Sequence, residues 1–118
     1  MPRLSTHVLD IWSGRPAPGV SIILHRMEAD GARIRVAEAI TNADGRTDAP
    51  LLAGEAFRVG RYEIEFDIGA YFRSRGVGLD DPAFLDVVPI RFGIADPKGH
   101  YHVPLVASPW SYSTYRGS

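Results

Sequence analysis

Apolar and polar residues alternate with a period of two along most of the chain. In Arg61-Tyr62-Glu63-Ile64-Glu65-Phe66-Asp67-Ile68 the residues Tyr62, Ile64, Phe66 and Ile68 share one parity, and charges hold the other. Successive side chains of a strand point to opposite faces, so this pattern predicts a half-buried antiparallel strand. Val20, Ile22 and Leu24 form a second such face within Val20 to Arg26. Ile34, Val36 and the more distant Ile40 form a third within Arg33 to Thr41, and Val88, Ile90, Phe92 and Ile94 a fourth. Turn chemistry separates the runs at Arg15-Pro16-Ala17-Pro18-Gly19, Asp30-Gly31 and Asn42-Ala43-Asp44-Gly45. Short strands at this spacing predict an all-β antiparallel sandwich of about eight strands. Gly69 to Gly76 breaks the alternation and predicts one short helix ending at Gly76.

A chain of 118 residues suits a single domain over 1–118, one that buries roughly two-thirds of its unfolded surface. Its net charge of -1 offers no basic stripe for a phosphate backbone, which argues against a nucleic-acid partner. The absence of cysteine removes disulfides, thiolate metal sites and thiol nucleophiles together. No apolar run approaches the roughly 18 residues of a membrane span. The segment Met1 to His7 carries no apolar core of a secretory signal. These features predict a cytoplasmic protein without a membrane partner.

Four places carry candidate chemistry. In His100-Tyr101-His102 strand geometry puts both imidazoles on one face. Such a pair serves as a base pair, a metal site or merely two polar residues. Val103-Pro104-Leu105-Val106-Ala107, apolar on both parities, places that strand deep in the protein or at an interface. His7 stands alone in the first strand, where a histidine is ordinarily just a tolerated polar residue. Arg46 follows the Asp44-Gly45 turn; it is either a solvated surface charge or a planar fork for carbonyl oxygens and anionic heterocycles. The segment Ser111 to Ser118 alternates aromatic and hydroxyl residues and closes on Arg-Gly-Ser, which suits an edge strand with a loose terminus. From these residues alone no substrate follows.

Four stretches nevertheless resemble the transthyretin-related 5-hydroxyisourate hydrolase family. They are Leu4-Ser5-Thr6-His7-Val8-Leu9-Asp10, Thr41-Asn42-Ala43-Asp44-Gly45-Arg46, His100-Tyr101-His102-Val103-Pro104-Leu105 and Tyr115-Arg116-Gly117-Ser118. The final tetrapeptide is the most specific, because the resemblance implies that thyroid-hormone carriers of the same fold lack it. Ile11-Trp12 and Ala107 depart from the expected pattern without touching a motif residue. The resemblance implies a transthyretin-like sandwich that hydrolyses 5-hydroxyisourate to 2-oxo-4-hydroxy-4-carboxy-5-ureidoimidazoline, with no cofactor and no metal. It implies that His7, Arg46, His102 and Ser118 line the active site, and that His100, Tyr115 and Arg116 lie beside it to bind substrate. It further implies a homotetramer with sites where dimers meet. In that setting one of His7 and His102 is the base for water, Arg46 stabilises the developing oxyanion, and Ser118 holds water or substrate. Three other readings stay open: a small-ligand carrier, a metal site built from His7, His100 and His102, and a non-enzymatic interaction domain.

Overall fold

In a computed structural model describing residues 1–117, the strands are β1 (Arg3–Asp10), β2 (Arg15–Pro16), β3 (Ser21–Met27), β4 (Arg33–Ile40), β5 (Leu52–Ala53), β6 (Gly60–Asp67), β7 (Val87–Ile94), β8 (His100–Ala107) and β9 (Tyr112–Thr114). A single α-helix, α1 (Ile68–Ser74), follows β6. One sheet has the order β2-β1-β8-β9, with β5 also on β1; the other has the order β4-β3-β6-β7. The two face each other as a sandwich, and their inner faces supply the core: Leu4 and Val8, Tyr101, Val103 and Leu105 from the first, Ile22, Leu24, Tyr62, Ile64, Phe66 and Val88 from the second. Phe66 and Phe72 are fully buried; truncating either to alanine costs about 3–5 kcal/mol.

The alternation of β6 is realised as expected, with Tyr62, Ile64 and Phe66 inward. Helix α1 starts where Asp67 accepts the Ala70 N–H at 3.2 Å and ends before Gly76, whose φ of +83° a side chain would disfavour. The helix is tied to β1 by the Tyr71 hydroxyl, which donates to Asp10 at 2.8 Å in the interior. Burial, then the adjacent carboxylate, pushes the Tyr71 phenol up to about 12. Burial alone would raise Asp10, but hydrogen bonds from Ser13 and Tyr71 bring it below its ordinary value.

Two features differ from the expectation. The third apolar face does not form: Ile34 is 42% exposed and Ile40 67%, while Val36, Ala37 and Ala39 pack on the core. The cause is a bulge. Leu24 pairs with Ala37 but His25 with Arg35, so Val36 is skipped and the parity of β4 changes along its length. The second difference is that β1 and β8 run parallel, in register from Arg3↔His100 to Asp10↔Ala107. The remaining pairs are antiparallel. With Leu4, Thr6 and Val8 turned inward beside Tyr101, Val103 and Leu105, the opposite parity sends Ser5, His7, His100 and His102 to the outer face of the first sheet.

Candidate active site

Three segments meet on that outer face. β1 carries His7 and β8 carries His102, and their ring centroids lie 6.5 Å apart. The third is the turn after β4. Asn42 organises it: its side-chain oxygen accepts from the N–H of Asp44 at 2.9 Å and of Arg46 at 3.3 Å. Gly45, at φ +74°, lies against the Val8 carbonyl so closely that a Cβ would collide with it. This close approach forms an antiparallel bridge between His7 and Arg46. It also sets the Asp44 carbonyl oxygen 2.9 Å from His7 Nε2. A carbonyl only accepts, so Nε2 carries the proton and Nδ1 keeps the lone pair.

The electrostatics favour neutral rings. Burial lowers the His7 pKa, the Arg46 guanidinium lowers it further, and the bond to Asp44 partly opposes them. His102 is lowered by burial, then by Arg46 and by His7. Among the described residues neither ring forms an ion pair with a carboxylate, and Arg46 itself makes no ion pair. A guanidinium beside two neutral imidazoles can take up negative charge while a ring nitrogen takes up a proton. A depression of about 180 Å³ adjoins them, lined by Arg3, Ser5, Thr6, Arg46 and residues 47–50.

The terminal segment reaches the same place. The Gly117 N–H donates to the His102 carbonyl at 2.8 Å. The Arg116 guanidinium lies 4.1 Å from the centroid of the Tyr101 ring, and its Nη2 is 3.5 Å from the His100 carbonyl. Tyr115 is exposed. His100 lies on the same face as His102, one pleat further from the turn and more exposed. Ser118 lies outside the described residues. Residues to which the sequence assigns no role complete the arrangement: Ser5, whose Oγ is 2.8 Å from His102 Nδ1, and the Asp44 carbonyl. Ser5 stands in the first motif, but nothing in a linear motif indicates which residue its hydroxyl meets 97 positions away.

His7, His100 and His102 do not converge as a ligand set. Among the described residues, the group of three whose ligand atoms lie within 4.8 Å of one another is His25, Glu63 and Glu65, on the second sheet. There Arg33 Nη1 already sits 2.7 Å from Glu63 and 3.3 Å from Glu65, the position a cation would take. A larger depression, of about 440 Å³, lies on the second sheet and is lined by Met27, Arg61, Arg91 and Gly93 among others. Among the described residues no helix is long and apolar enough to cross a membrane.

Comparison with known proteins shows the family and the fold. The profile of the HIUase/Transthyretin family matches residues 4–117. The chain is 60% identical over 116 residues to 5-hydroxyisourate hydrolase 2 of Rhizobium meliloti (strain 1021), covering 98% of this chain and 96% of that one. It superposes on the structure of Klebsiella pneumoniae 5-hydroxyisourate hydrolase with a TM-score of 0.81 at 37% identity, covering both chains fully. Sea bream transthyretin in complex with thyroxine has a TM-score of 0.85 at 32% identity, covering 98% of this chain and 94% of that one.

Proposed function

The chain belongs to the HIUase/Transthyretin family, and from that premise we infer that it is an enzyme that hydrolyses 5-hydroxyisourate in urate degradation. The product is 2-oxo-4-hydroxy-4-carboxy-5-ureidoimidazoline. The observation that carries the mechanistic part of this reading is the pair of neutral histidines beside an arginine with no carboxylate partner among the described residues.

In this mechanism water is too weak a nucleophile at neutral pH and gives a proton to a base as it attacks the C6 carbonyl. His7 is that base, through Nδ1, because its Nε2–H is committed to the Asp44 carbonyl. His102 orients the water. The carbonyl electrons move onto oxygen, where Arg46 receives the charge; a well-placed donor of this kind is worth roughly 3–4 kcal/mol. The carbonyl then reforms, the C6–N1 bond breaks, and N1 takes the proton back from the His7 imidazolium. Water is thereby divided between the new carboxyl group and N1. Ser118, next to the Gly117 that bonds His102, holds water or substrate through its hydroxyl. His100, Tyr115 and Arg116 form the rim that docks the heterocycle.

The working unit in this reading is a homotetramer of single-domain chains in the cytoplasm, each site completed where dimers meet. Support comes from the segments that follow β1 and flank β9, where Ile11, Trp12, Trp110 and Tyr115 are each more than half exposed.

The test generates 5-hydroxyisourate from urate with urate oxidase and follows its ultraviolet decay with and without the protein. Faster decay that His102→Ala abolishes is expected. No acceleration by the folded protein would leave a carrier of a small aromatic ligand as the better reading.

A further inference from the structure

Ser5 stands directly opposite His102 in the parallel register of β1 and β8, and its Oγ lies 2.8 Å from His102 Nδ1. No other hydrogen bond of this hydroxyl occurs among the described residues. The opposite side of the same ring is closed by Gly117: a Cβ at that position would lie 2.5 Å from His102 Cδ2 and 3.2 Å from Cγ. The ring is therefore held between a hydroxyl at one nitrogen and a bare Cα at its carbon edge. Its remaining nitrogen, Nε2, is the one left to meet a substrate.

The two histidines differ in what anchors them. His7 is bonded to a carbonyl, which accepts only, so one tautomer is fixed. His102 is bonded to a hydroxyl, which both donates and accepts. When Ser5 donates to Nδ1, the ring proton resides on Nε2, which then donates into the site. When Nδ1–H donates to Ser5, Nε2 carries a lone pair and accepts. Ser5 also lines the depression that Arg46 borders, so this hydroxyl is at the edge of the reaction space.

We propose that Ser5 is a positioning residue for the hydrolysis: it seats the His102 ring against Gly117 and lets Nε2 serve as donor or acceptor to the attacking water. The proposal rests on the hydrolase reading above, and it extends that reading to a residue that acts through His102. Losing the anchor misorients a group that acts in the transition state, so the effect falls on kcat rather than KM.

The test compares Ser5→Ala, Ser5→Thr and Gly117→Ala with the unsubstituted protein in steady-state turnover and in ¹⁵N spectra of the histidine side chains. Ser5→Ala is expected to lower kcat roughly tenfold with KM within about twofold, and Ser5→Thr, which retains the hydroxyl, to restore most of it. The His102 ring nitrogens should shift in Ser5→Ala while those of His7 stay in place. Gly117→Ala, which crowds the ring from its other edge, should lower kcat in the same way. Turnover of Ser5→Ala within twofold of the unsubstituted protein overturns the proposal, as do unmoved His102 resonances, even if the melting temperature falls. If the unsubstituted protein itself does not hydrolyse 5-hydroxyisourate, the hydrolase reading fails, and the nitrogen spectra still decide whether Ser5 sets the state of His102.

Discussion

Both sheets carry histidine and arginine on their outer faces, yet the two faces are built in opposite ways. On the second sheet, Glu63 is buried and accepts from Arg33 at 2.7 Å and Arg91 at 3.1 Å, while His25 lies 3.1 Å from Glu65. Burial alone would raise Glu63, but the two arginines hold it below its ordinary value. Both of these glutamates have a basic partner within reach. On the first sheet, Arg46 faces two imidazoles whose pKa values are lowered by burial and then by its charge. In the first arrangement the carboxylates are already paired with cations at rest. Among the described residues, the second has a cation without an ion pair and a ring lone pair, which suit charge that exists only during a reaction. Composition alone would not separate the two faces; pairing does.

Exchanging the roles of the faces by mutation is the strongest way to break this contrast. His7→Ala is expected to reduce kcat by about 10²–10⁴-fold, the range for a general base, while His25→Ala leaves kcat within about twofold. Equal losses in the two variants would dissolve the distinction. Arg46→Met should lower kcat by about 10²–10³-fold, and it should also move the acid limb of the pH–rate profile. The proposed mechanism needs neutral histidine, so activity is expected to rise with pH through the histidine pKa. That pKa lies below its ordinary value of 6.5 because of burial and Arg46. Removing the cation raises it and shifts the limb to higher pH; a limb that stays in place shows that Arg46 does not couple to the pair.

Glu63→Gln tests the other face. Hydrogen bonds to a charged group contribute about 1.5–3 kcal/mol, so the melting temperature should fall while kcat is retained. The folded-state pKa of Glu63 lies below its ordinary 4.5. Its stabilisation is therefore present above that value and is lost as pH falls through the folded pKa. The glutamine variant should show a shallower loss of stability in acid, and an unaltered acid transition would show that the pairing contributes nothing. The smallest effect is expected from chelation. Arg33 occupies the position between Glu63 and Glu65 that an ion would need, so a strong chelator should change neither the melting temperature nor turnover.

How far the sequence reveals this molecule depends on the range of the interaction concerned. The alternation of β6 and β7, the helix ending before Gly76 and the shared face of His100 and His102 are consequences of local geometry, and all are legible. β4 is misread because its inward parity depends on a bulge opposite Leu24 and His25, a property of two strands rather than one. Pairing of the two histidines needs the parallel register of β1 with β8, which no turn signal encodes. Arg46 is placed by family resemblance; only the Asn42 turn and the Gly45 contact explain why it arrives beside His7. Ser5 is passed over because its partner is remote. Legibility ends where residues distant in sequence define each other's state.

The parallel pairing of β1 and β8 also has a consequence in time. Ser5 and His102 are 97 positions apart, and chains are synthesised at roughly 5–20 residues per second. The first strand therefore waits on the order of 5–20 seconds for its neighbour during translation, by the same rate. Through that interval its alternating apolar edge is open to wrong partners, and the second sheet, whose pairings are shorter in range, has time to form first. A nascent chain can thus own half a sandwich while the two histidines have never met. Enzymatic competence is a late event in the life of each molecule.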